Sequence, residues 1–101
     1  MITCFLRYEI DPYQPKEFET YCKMWIPLIQ KFGGTIEGYY MPQEGPNDIA
    51  LALFSFPSLA AYENYRTQSA TDPDCRKAIA YARSNKCVVR FERSFLRKLE
   101  V

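Results

Sequence analysis

Hydrophobic and polar positions alternate from the start of the chain. Ile2, Cys4, Leu6, Tyr8 and Ile10 are separated by Thr3, Phe5, Arg7 and Glu9, a period of two that predicts a strand with one face toward a core. Asp11, Pro12 and Pro15 break it. From Lys16 the period lengthens: Phe18, Cys22, Trp25, Ile26, Ile29 and Phe32 recur at helical spacing and predict a helix to Phe32. Gly33 and Gly34 supply its stop, because glycine takes positive φ without a Cβ penalty. Pro27 falls inside this helix; its missing N–H frees the Lys23 carbonyl, and a kink between Lys23 and Pro27 is expected.

Thr35 to Met41 reads as a second strand, Pro42 to Asp48 as a turn-rich tip containing Gly45, Pro46 and Asn47, and Ile49 to Phe56 as the returning strand. Pro57 ends that strand, and Ser58 stands as the N-cap of a helix reaching Ser69, with Leu59, Tyr62 and Tyr65 directed inward. Asp72, Pro73 and Asp74 combine a cap, a first-turn proline and a carboxylate, and start a third helix to Ser84. Cys87 to Leu96 closes the chain as a strand in which Val89, Phe91 and Phe95 alternate with Val88, Arg90, Glu92 and Ser94.

The order β-α-β-β-α(α)-β predicts a single α+β domain over residues 1–101, of the ferredoxin-like, split βαβ type. Its first and third strands lie side by side in a four-stranded antiparallel-type sheet, with the helices on one face. The other face would carry Phe5, Arg7, Glu37, Tyr39, Leu51, Leu53, Arg90 and Glu92, too apolar a mixture to stay wet. A second copy closing a dimeric α+β barrel is the expected remedy.

Composition narrows the chemistry. Hydrophobic residues make up 48% and aromatics 16%, ample for one core. Thirteen Lys and Arg against twelve Asp and Glu give a net charge of +1 with no block of like charge, so no nucleic-acid partner is expected. The third strand, Asp48 to Phe56, also lacks the basic and glycine pattern of RNA-recognition sheets. Arg7 and Glu9 argue against a secretory leader or a membrane span in the first ten residues, which predicts a soluble, cytoplasmic protein without membrane insertion. Cys4, Cys22, Cys75 and Cys87 show no C-x-x-C spacing and read as free thiols, although a cross-strand Cys4–Cys87 pair stays open. The chain has no histidine, which removes the commonest general base, zinc ligand and haem ligand together. Neither metal nor cofactor is expected.

The segments ITCFLRYEIDP, WIPL, FGG, EGYYMPQEGPN, SFPSLAAYENYR and RSFL, in this order, resemble the NIPSNAP family across nearly the whole chain. The resemblance implies a homodimeric α+β barrel related to small monooxygenases and isomerases that use a cavity between sheet and helices. It implies no particular reaction: animal relatives look like mitochondrial or vesicle-associated interaction proteins. The loop that often reads P-H-E-G in similar proteins is Pro42, Gln43, Glu44 and Gly45 here, so any acid–base role of that histidine is lost.

Candidate ligand-binding residues follow from position. Arg7, Arg90 and Glu92 lie on strand positions facing away from the helices, where an ion pair across the first and last strands is the plainer reading and capture of a ligand anion the sharper one. Tyr39 and Tyr40 point to opposite faces, so one of them should meet any cavity. Trp25 would sit beside the Pro27 break, as packing or as a pocket wall. Glu44 and Asn47 flank the hairpin tip, where Asn47 suits turn formation and Glu44 is a candidate base. Tyr62, Tyr65 and Arg66 read as a packing patch with a solvated guanidinium. Cys22 and Cys75 lack a visible activating base.

No complete catalytic constellation emerges, and catalytic residues stay unassigned. Two functions remain open: a small-molecule binder or cofactor-independent enzyme of monooxygenase or isomerase type, and a non-enzymatic protein–protein interaction module whose barrel serves dimer assembly.

Overall fold

The computed structural model describes residues 1–101. Its elements follow the expected order: β1 (Ile2–Ile10), α1 (Pro15–Lys31), β2 (Thr35–Tyr40), β3 (Ile49–Phe56), α2 (Leu59–Ser69), α3 (Pro73–Asn85) and β4 (Val88–Leu96). The four strands form one sheet in the order β2-β3-β1-β4, and every neighbouring pair is antiparallel. Cys4, Leu6, Tyr8 and Ile10 of β1 and Ala50, Ala52, Phe54 and Phe56 of β3 are buried together with Phe18, Cys22, Trp25 and Ile29 of α1 and Tyr62 and Tyr65 of α2. The core is thus one layer, between the sheet and its helices.

Local signals fix the helix ends. Pro15 occupies the first turn of α1, where its missing N–H has no helical partner to lose. At the other end Gly33, with φ +92°, donates to Gln30 O at 3.1 Å and Gly34 donates to Ile29 O at 2.9 Å, the paired bonds of a Schellman stop. Gly34 is also a close-packing position: a Cβ there would lie 2.5 Å from Ile29 Cγ2 and 2.9 Å from Phe56 Cζ. The helix runs unbroken through Pro27.

Ser58 caps α2 by accepting from Ala61 N at 3.1 Å. Asp72 caps α3, accepting from Asp74 N at 3.1 Å and Cys75 N at 3.0 Å. The same carboxylate receives Lys31 Nζ at 2.7 Å, tying the end of α1 to the start of α3. The Lys31 ammonium and the Cys75 backbone N–H hold its pKa down at about 2.

Leu59, expected to face inward with Tyr62 and Tyr65, is 48% exposed; it opens α2 directly after the Ser58 cap, a turn before the residues that pack on the sheet. Two further departures come from bulges. In β2, Ile36 pairs with Phe54 and Gly38 with Leu53, so Glu37 is an extra residue. Strict alternation would put Glu37 and Tyr39 together on the open face; the bulge returns Tyr39, opposite Ala52, to the helix face. In β4, Ile10 pairs with Val88 and Glu9 with Arg90, leaving Val89 over. Val88 therefore faces the core side with Phe91 and Phe95, while Val89 is 63% exposed.

The open face carries a polar line at one end, where Ser55 Oγ donates to Glu37 Oε1 at 3.0 Å and shares a 2.8 Å bond with Thr3 Oγ1. The ion pair expected across β1 and β4 forms instead along β4, from Arg90 to Glu92 at 2.9 Å; residues two apart on a strand share a face. Arg7 stands opposite Glu92 without a salt bridge of its own. Cys4 pairs with Phe95 in the β1–β4 register, far along the strands from Cys87, and all four cysteines are free and buried. No helix is long and apolar enough to cross a membrane.

Candidate functional site: an aromatic cavity between sheet and helices

The helices do not fill the space above the sheet. A cavity of about 480 Å³ lies between them, within the range that holds a small organic ligand. Its floor is the inner sheet face, with Leu6 and Tyr8 from β1, Phe54 from β3, Tyr39 from β2 and Phe91 from β4. Tyr21, Trp25 and Ile29 of α1 form one wall, and Tyr62 and Tyr65 of α2 another. These walls follow from sequence spacing: Tyr21, Trp25 and Ile29 recur every four residues and so share one helical face, as do Tyr62 and Tyr65 three apart.

The rings hold one another in place. Tyr8 meets Phe91 with centroids 6.1 Å apart, Tyr21 meets Trp25 edge-on at 6.3 Å, and Tyr62 meets Phe95 edge-on at 4.8 Å. Burial raises the pKa of Tyr8, Tyr39, Tyr62 and Tyr65, so these phenols stay protonated at neutral pH and act as donors rather than bases. Burial likewise raises the Tyr21 pKa, partly offset by the nearby Trp25 indole N–H. Trp25 is 7% exposed, and its Nε1, with Tyr21 beside it, makes no hydrogen bond of full geometry. A buried polar group without a partner is uncommon and costly.

Charge in the cavity has one sign. Arg66, Arg83, Lys86 and Arg93 contribute to its lining, and no Asp or Glu does. Arg93 stands over the Phe91 ring at 5.1 Å. Nowhere do three His, Cys, Asp or Glu side chains gather as a metal site requires.

Of the residues singled out from sequence, the cavity brings together Trp25 and Tyr39. Arg7, Arg90 and Glu92 lie on the open sheet face, and Glu44 and Asn47 are exposed in the hairpin tip, outside the cavity lining. Tyr62, Tyr65 and Arg66, read as a packing patch, form part of the wall. Arg93 was missed, although its signal was present: it sits midway between Phe91 and Phe95, on their face of the strand.

Solved structures share this architecture. A NIPSNAP family protein of unknown function from Agrobacterium tumefaciens is 16% identical and superposes with a TM-score of 0.81 over 95% of this chain and 86% of its own. An uncharacterized NIPSNAP-like domain protein from Burkholderia xenovorans is 22% identical, with a TM-score of 0.77 over 97% and 84%. SnoaB, a cofactor-independent oxygenase from Streptomyces nogalater, is 12% identical, with a TM-score of 0.70 over 99% and 94%. At such identities the likeness is one of fold. Comparison with curated proteins gives no match. The NIPSNAP family model matches residues 4–101, nearly the full chain, and the protein belongs to the NIPSNAP family.

Proposed function

We propose that this protein binds a small, largely apolar organic molecule in the cavity between sheet and helices. The observation that carries the reading is a 480 Å³ space walled by aromatic rings from the inner sheet face, α1 and α2, the size and lining of a small-molecule site. Trp25 is the single tryptophan of the chain, so its emission reports on the cavity directly. Native mass spectrometry of gently purified protein should show excess mass, and the extracted molecule should shift Trp25 emission on re-addition. Protein that never carries excess mass, and whose Trp25 emission answers no apolar ligand, refutes the reading.

The finer form is a cofactor-independent monooxygenase or isomerase, a reading supported by the fold shared with SnoaB, a cofactor-independent oxygenase. The lining offers phenol donors and guanidinium groups but neither carboxylate nor imidazole, so proton abstraction would need a ligand acidic enough to ionise beside the cations. Incubating the recovered ligand with protein in air, with product mass as the readout, tests it; unchanged ligand mass refutes turnover and leaves binding intact.

We also propose a homodimer formed by the open sheet faces of two copies, as a non-enzymatic interaction module would equally require. Phe5, Leu51 and Leu53 are only half-buried there, and Tyr40 is 54% exposed, an apolar strip that a second copy would cover. Leu53→Glu should convert a sedimenting dimer to a monomer; a wild-type monomer refutes the arrangement. Four free thiols support a reducing, cytoplasmic setting, testable by cell fractionation.

A further inference from the structure

We propose that the cavity ligand is a hydrophobic carboxylic acid, its apolar body among the aromatic rings and its carboxylate held at the cavity mouth by Arg93 and Arg66. The proposal rests on the small-molecule reading above and names the chemical class that the site selects.

The first argument is charge. Basic and acidic residues nearly balance over the chain, thirteen against twelve, yet the cavity lining holds four cations and no carboxylate. Chance segregation is a poor account when the cations also lack partners elsewhere: the protein's ion pairs are Lys23–Glu19, Lys31–Asp72 and Arg90–Glu92, and none uses Arg66, Arg83, Lys86 or Arg93. Like charges gathered at one opening repel one another, and an anion from outside relieves that repulsion.

The second argument is convergence. Burial raises the pKa of Cys4, Tyr62 and Tyr65, and the guanidinium groups of both Arg93 and Arg66 pull each of the three back down. The two arginines therefore act on one spot, between β4 and α2, although they are distant in sequence. Both are exposed side chains, whereas Tyr62, Tyr65 and Trp25 are buried, so the cations lie at the mouth and the rings in the depth. Arg93 is held over Phe91, which leaves the planar fork of its guanidinium to face an oxygen pair edge-on.

The test compares probes that share a body and differ in the head: 1-pyrenebutyrate with 1-pyrenebutanol, and dodecanoate with dodecanol, each titrated against full-length protein and read by Trp25 emission. The carboxylates should bind about tenfold or more tightly than the alcohols. Arg93→Gln and Arg66→Gln should each reduce that ratio, acid affinity falling severalfold more than alcohol affinity. Circular dichroism confirms folding; if Arg93→Gln does not fold, Arg66→Gln, altered at an exposed helix position, carries the test. Equal affinity for acid and alcohol overturns the carboxylate and leaves the cavity reading standing. Undiminished acid preference in the folded arginine variants overturns the assignment of the head group to these residues. Absence of binding by all four probes overturns this proposal and counts against the cavity reading as well.

Discussion

Replacing Trp25 by Phe should leave the protein as stable as before or make it more stable, against the usual rule for trimming a buried ring. The indole is 7% exposed, and an ordinary truncation of a large core aromatic to Ala costs about 3–5 kcal/mol. Two smaller terms decide the Phe variant. The side chain shrinks by roughly 40 Å³, which at about 24 cal/mol per Å³ of new void costs about 1 kcal/mol. Deleting a buried donor that has no partner recovers about 1–3 kcal/mol of desolvation. The terms sum to between zero and about 2 kcal/mol in favour of the variant, and for a domain of this size each kcal/mol moves Tm by about 4–8 °C. Thermal unfolding followed by far-ultraviolet circular dichroism, at fixed protomer concentration and free of ligand, should show an unchanged or higher Tm. A fall of more than about 8 °C would mean that the indole is held by packing worth more than its unmet hydrogen bond, and would refute the reasoning.

Other predictions concern the frame around the cavity. Gly34→Ala should cost about 1–3 kcal/mol in urea unfolding, since the new methyl meets Ile29 and Phe56 and both are 1% exposed; a neutral result would show that the α1 end can shift. Asp72 has its pKa lowered from 3.8 to about 2, so it binds its proton more weakly in the folded chain and adds stability above pH 4 that is lost as pH falls toward 2. Asp72→Asn should flatten that acid limb of Tm against pH, and an unaltered limb would contradict the Lys31 contact. Burial pushes the Cys22 thiol up to about 12 and Cys75 to about 11, so iodoacetamide at pH 8 should leave both unmodified until denaturant is added; native alkylation of either, read by peptide mass mapping, refutes their burial.

Much of this arrangement is legible in the order of residues. Each element boundary is written in side chains with one local role: Pro15 at the opening of α1, Gly33 and Gly34 at its close, Ser58 and Asp72 as caps. Strand topology follows because a short hairpin and two helical crossovers leave few ways to order four strands. What escaped reading were choices made by neighbours. Nothing in Thr35 to Tyr40 announces that Glu37 will be stepped over; that depends on pairing Phe54 with Ile36 and Leu53 with Gly38, and Tyr39 changes face as a result. Val89 is misplaced for the same reason. Arg66, Arg83 and Lys86 meet Arg93 only because α2, α3 and β4 converge on one opening, a fact of packing with no signature along the chain. Arg93 differs: its alternation with Phe91 and Phe95 by itself puts it on their face of the strand.

The two bulges sit on β2 and β4, the outer strands of the sheet, whereas the central β1–β3 ladder is regular. An outer strand offers unpaired backbone groups that a foreign strand can template upon, and an unbroken row of them is a route to fibrils. Here each outer strand carries one residue that does not fit a regular ladder. A chain docking on β2 would match only part of six residues before its alternation failed at Glu37, and on β4 it would meet the same misfit at Val89. The devices that turn Tyr39 toward the cavity and Val89 toward water thereby also discourage growth of the sheet sideways, and leave its face as the surface on which copies can meet.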